Sequence, residues 1–173
     1  MKKYELTEET FTVFGKTLYR IRAVRDFGSV KTGEFGGYIE KEENLSHFGN
    51  AWISGDARVF GDARVSGNAR VFGDARVSGD ARVSGNARVF GNAEVFNTRH
   101  FFVQGPIGSR DGYVTFYRTK DDTVEVRCGC FSGSLQEFVN QVEETHGGSR
   151  YEKEYKLAAE LAKVCIRLEG ESR

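Results

Sequence analysis

Six arginines, Arg58, Arg64, Arg70, Arg76, Arg82 and Arg88, recur at intervals of six residues. Guanidinium groups at fixed spacing can grip phosphates or carboxylates bidentately. Three histidines (His47, His100, His146) and three cysteines (Cys128, Cys130, Cys165) are the other groups with reactive chemistry. A histidine can serve as a general base, and Cys and His together can hold zinc. Cys128, Cys130, Cys165 and His146 match no common zinc spacing, nor does Cys130 with His146 suggest a nucleophile pair. Small apolar residues packed under helices are the expectation for these thiols. His47 is expected in a cap, His100 at a surface or interface, and His146 at a helix C-terminus, where a cation suits the dipole. No catalytic residue, metal site or cofactor is assigned. A further anion-binding candidate is the Gly-rich turn "GPIGSRDG" with Ser109 and Arg110. Its backbone N–H groups form either a nest for an anion or a plain connecting turn.

The arginines belong to a phrase, G-[DN]-A-[RE]-V-[FS], that fills Gly55 to Phe96 seven times over. A period of six excludes an α-helix, whose apolar stripe repeats every 3.6 residues. In Ala-Arg-Val, strand geometry points Ala and Val one way and Arg the other. Gly followed by Asp or Asn then turns the chain. Three such sides close a coil of 18 residues. The Asn/Asp choice follows that longer period where the coil is most regular: Asn50, Asn68 and Asn86 form one column, Asp56, Asp74 and Asn92 a second, Asp62 and Asp80 a third. Each fully buried Val contributes roughly 1.5–3 kcal/mol, so several stacked coils are needed to offset the ordering of the chain.

The expected fold is mainly β. A parallel β-helix spans residues 37–104, a β-hairpin cap spans 1–36, and a small β-β-α-α module spans 105–173. The helices are placed by the capping boxes Ser134-x-x-Glu137 and Ser149-x-x-Glu152. Their apolar stripes are Leu135, Phe138, Val139, Val142 and Leu157, Leu161, Val164, Leu168.

"GEFGGYIEKEENLSHFGNAWISGDARV" resembles the lead-in of bacterial and phage hexapeptide-repeat proteins of the transferase or polymer-forming type. The tail from Gly105 is similar to a C-terminal module of phage and prophage proteins of unassigned role. The resemblance implies a left-handed β-helix. It also implies a phage setting, and with it an inhibitor of host defence, such as an anti-CRISPR protein or a nucleotide sponge. Acyltransferases of this repeat type use a His between neighbouring coils, which makes an acyltransferase-like enzyme the alternative.

Lys+Arg and Asp+Glu both number 25, so no global charge draws the chain to nucleic acid or membrane. The N-terminus does not read as a signal peptide, and no apolar run is long enough to span a membrane. The odd number of cysteines does not make a disulfide framework. The bacterial host's cytoplasm is the expected compartment. Between Gly55 and Phe96, six Arg face four Asp and Glu94, a balance of +1. This is either a solvated mixed surface or a site for an anion, nucleotide, nucleoprotein complex or host protein. Trp52, Phe60, Phe72, Phe90 and Phe96 fall at outward or corner positions. They are therefore the candidates for self-association into a dimer or trimer. A non-catalytic, oligomeric binding protein is the leading functional expectation.

Overall fold

The computed structural model describes residues 1–169, so residues 170–173 of the expected C-terminal module lie outside the described residues. The chain forms two compact units. One holds residues 1–92 and 96–98, the other residues 93–95 and those from 99 onward.

The first unit opens with a hairpin of β1 (Tyr4–Val13) and β2 (Lys16–Ala23), paired antiparallel from Tyr4↔Ala23 to Val13↔Lys16. Its two-residue turn, Phe14-Gly15, has both residues at positive φ (48° and 74°), the geometry that matches the twist of the flanking strands. β3 (Phe35–Ile39) pairs antiparallel with β2 and parallel with the coil strand at Arg58–Val59, so it converts hairpin into solenoid. Two residues per side then suffice: β4 (Trp52–Ile53), β5 (Arg58–Val59), β6 (Arg64–Val65), β7 (Arg70–Val71), β8 (Arg76–Val77), β9 (Arg82–Val83) and β10 (Arg88–Val89).

The pairing confirms the three-sided coil. Arg58 pairs with Arg76, Arg64 with Arg82, and Trp52 with Arg70 and Arg70 with Arg88, all parallel and 18 apart. Every inward Ala and Val from Ala57 to Val89 is fully buried. Rungs are tied by backbone bonds such as Arg70 N–H to Ala87 O at 2.9 Å. The corner glycines are needed for two reasons at once. Gly67 has φ of +68°, and a Cβ there would lie 3.0 Å from the Gly85 nitrogen below it.

The lead-in is packed more tightly still. A Cβ on Gly36 would meet Ile53 O at 2.6 Å and the Trp52 ring at 2.7 Å. The cap closes the open end of the coil, which otherwise exposes a strand edge. Tyr4 donates its hydroxyl to Leu45 O at 2.8 Å and stacks on His47. Asn44 donates to Ala63 O at 2.9 Å and Gly61 O at 3.1 Å. Lys3 is wholly buried, with its ammonium donating to Ala51 O at 2.7 Å. Burial first, then Arg25 and Arg70, push its pKa down to about 8.

The second unit contains β11 (Glu94–Val95) and an antiparallel sheet ordered β12 (Phe101–Ile107), β13 (Gly112–Arg118), β14 (Val124–Cys128), β15 (Phe131–Ser134). Two helices, α1 (Leu135–His146) and α2 (Arg150–Cys165), cover it. Two strands go beyond the β-β-α-α expectation. Phe101–Gln104, read in the sequence as the end of the coil, pair with β13 instead. Arg99, in an Ala slot, breaks the inward Ala/Val pattern just before them. Gly129-Cys130 forms the hairpin turn between β14 and β15, with Gly129 at φ of +57°.

Both predicted N-caps are present: Ser134 accepts from Glu137 N–H at 3.2 Å and Ser149 from Glu152 N–H at 3.3 Å. The second helical stripe is a correction. α2 buries Ala158, Ala159 and Ala162, while Leu157 and Val164 are 70% and 81% exposed. Phe116 and Phe138 already fill the space under the helix, and Tyr155 of α2 packs edge-on against Phe138. Small side chains let α2 approach that aromatic layer, so bulk is directed outward.

Candidate functional site: the Asn-Arg-Phe face

Each face of the coil carries one outward column, preceded by one corner column. Asp56 and Asp74 precede Arg58 and Arg76; Asp62 and Asp80 precede Arg64 and Arg82. Asn50, Asn68 and Asn86 precede Trp52, Arg70 and Arg88. The six-residue units of this third face, "GNARVF" at 67–72 and 85–90, contain no carboxylate. The corners of this face therefore bring no carboxylate into its GNARVF phrases.

That face has a defined construction. The Asn side chains form an amide ladder, Asn50 Nδ2 to Asn68 Oδ1 at 3.3 Å and Asn68 Nδ2 to Asn86 Oδ1 at 3.2 Å. Arg70 and Arg88 lie in parallel register beside it, one rung apart, about 4.8 Å. At the opposite edge the half-buried rings of Phe72 and Phe90 are 4.7 Å apart and inclined at 43°. From the cap, Ser29 Oγ accepts from Arg70 Nη2 at 2.8 Å. Behind the face, the buried Lys3 ammonium lies close enough to Arg25 and Arg70 for their charges to add to the lowering of its pKa by burial. Asp26, the carboxylate next to Arg25 in sequence, accepts from Thr32 N–H and Lys31 at 2.8 Å and 3.0 Å. Those bonds hold its pKa down at about 2.

The other predicted residues are placed differently. Arg58 lies over the Phe11 ring, 4.0 Å from its centroid, and serves the cap. Arg76 is half-buried in the column below it. Arg64 and Arg82 are exposed beside their aspartates. Trp52 and Phe60 are buried and are not self-association surfaces. Trp52 does occupy an outward slot, but Tyr4 and Phe27 of the cap cover it, with ring centroids at 6.4 Å and 5.3 Å. Phe60 is covered by Phe14, Leu18 and Tyr38. Phe96 is half-buried.

The "GPIGSRDG" turn has nest chemistry, but the chain itself supplies the anion. Gly108 N–H donates to the Glu154 carboxylate at 2.6 Å, and Ser109 and Arg110 point to no separate site. His100 is buried, 4% exposed, and its carbonyl accepts from Arg118 N–H at 2.8 Å. It sits in no open groove. His146 lies against the rings of Tyr151 and Tyr155 at the end of α1. Cys128 packs on the module core, and burial raises its thiol pKa; Cys130 is exposed in its turn. Among the described residues no cluster of His, Cys, Asp and Glu could hold a metal, and no helix is long and apolar enough to cross a membrane.

No curated protein matches this chain. The coil matches the family described as YdcK beta solenoid repeat at residues 51–67, 63–79, 75–89 and 81–95. The similarity is confined to the repeat and supports a β-solenoid repeat protein; Arg70, Phe72, Arg88 and Phe90 lie within the matched coils.

Proposed function

We propose that the chain is a non-catalytic binding protein that presents the Asn-Arg-Phe face to an anionic partner. The observation that carries this reading is the absence of carboxylates from the two GNARVF phrases, against Asp in the phrases of the other Arg columns. Clustered guanidiniums on a rigid β-surface concentrate positive potential even where net charge is zero. The resemblance to phage and prophage proteins extends the reading to an inhibitor of host defence in the bacterial cytoplasm, one that occupies a nucleoprotein complex or withholds a small anion. The acyltransferase alternative has less support: the coil runs from Gly49 to Phe96 with no inserted loop, and His100 is enclosed. The full chain is expected to bind a heparin matrix at low salt and to elute as salt rises. Passage straight through the column would contradict the reading.

Self-association is a second use of the same face, favoured by the half-exposed Phe72 and Phe90 pair. A Phe72→Ser/Phe90→Ser chain is expected to show a lower mass than the parent by light scattering. Equal masses would remove those rings from any subunit interface.

A further inference from the structure

Resting on that reading of the face, we propose that its ligand is a nucleotide, with the base on Phe72 and Phe90 and the phosphate between Arg70 and Arg88. Along an extended strand, residues two apart lie about 6.6 Å from one another on the same side. Phe72 and Phe90 each follow an arginine by two residues. A ribose bridges a gap of that order between its base and its phosphate. The rings are 4.7 Å apart and inclined at 43°, so a flat base stacks on one ring and meets the other at an angle. Sequence-tolerant stacking of bases on aromatic side chains beside cationic groups is a recurrent mode of single-strand and nucleotide binding. A simple phosphate-binding patch has no need of the two rings. A protein-binding apolar patch has no need of carboxylate-free arginine phrases. The face combines both features in each of two successive coils. Ser29, already bonded to Arg70 at 2.8 Å, holds that guanidinium on the face from the cap side. The Asn ladder along the other edge offers amide donors and acceptors without negative charge.

The chemistry admits two sources, a free nucleotide or a nucleotide unit within a single strand. Calorimetric titration of the full chain with inorganic phosphate, adenosine, adenosine monophosphate and a short oligothymidylate separates them. Adenosine monophosphate or the oligothymidylate is expected to bind at least about tenfold more tightly than phosphate or adenosine. The oligothymidylate exceeds the mononucleotide if the source is a strand, and the reverse holds if it is a free nucleotide. Arg70→Ala/Arg88→Ala and Phe72→Ser/Phe90→Ser chains, folded by circular dichroism, should each lose about tenfold. Arg64→Ala/Arg82→Ala on the neighbouring face should change little. Phosphate binding as tight as the mononucleotide and unaffected by loss of the rings overturns the nucleotide assignment, while leaving an anion-binding face. Absence of binding by every probe overturns both.

Discussion

Replacing Arg118 with alanine is expected to destabilise the C-terminal unit by about 3 kcal/mol, the lower part of the range for breaking a buried charge network. The Arg118 side chain is 3% exposed and meets three carboxylates: Asp122 at 2.7 Å, Glu169 at 3.0 Å and Glu94 at 3.6 Å. Those acids are 30%, 74% and 30% exposed, so water offsets part of the loss, which places the figure low in the range. An exposed pair such as Lys163–Glu160 contributes little by comparison. The network also ties distant segments together, since Asp122 accepts from Glu169 N–H at 2.8 Å. That bond above all, and then Arg118, hold the Asp122 carboxyl below its ordinary pKa. A lowered carboxyl pKa stabilises the fold above the unfolded value and loses that contribution as pH falls through the folded one. Urea unfolding of the full chain followed through the helices checks this. Arg118→Ala should shift the midpoint of that transition downward, and an unchanged midpoint would falsify the role given to the network.

The coil was readable because one packing solution is repeated: Ala and Val inward, Gly at the corner, and an Asn/Asp rhythm of 18. What failed to read correctly depends on neighbours remote in sequence. Trp52 stands in an outward slot, and only the cap residues Tyr4 and Phe27 make it buried. Phe60 is hidden by the hairpin in the same way. The Gly108 nest was visible, but the carboxylate that fills it comes from Glu154, 46 residues away. In α2 the larger aliphatic residues suggested a core stripe, whereas the aromatic layer beneath favours the alanines. The key feature of the candidate face was visible all along. The Asn column at 50, 68 and 86 marks three sides and also marks which Arg column has no acidic corner in its own phrases. The strand pairing then confirms that Trp52, Arg70 and Arg88 of those phrases stand on one face.

Writing the acidic phrase onto this face should therefore abolish its function while leaving its fold. Asn68→Asp/Asn86→Asp turns both GNARVF phrases into GDARVF, the phrase that stands at 55–60. The corner accepts Asp: Asp56 above Asp74 and Asp62 above Asp80 already stand in such columns, all four exposed. The amide bond between Asn68 and Asn86 is lost, a surface change that costs well under about 1 kcal/mol. Two carboxylates beside two guanidiniums should lower affinity for an anionic partner by about ten- to thirtyfold, from roughly 1 kcal/mol per close surface pair. Asn92→Asp adds charge to a corner column that is already acidic and provides the control. The decisive measurement is the heparin affinity of these chains at low salt. The face assignment predicts a loss of about tenfold or more for Asn68→Asp/Asn86→Asp, with Asn92→Asp close to the parent and thermal midpoints unchanged. Equal affinity in all three chains would contradict it.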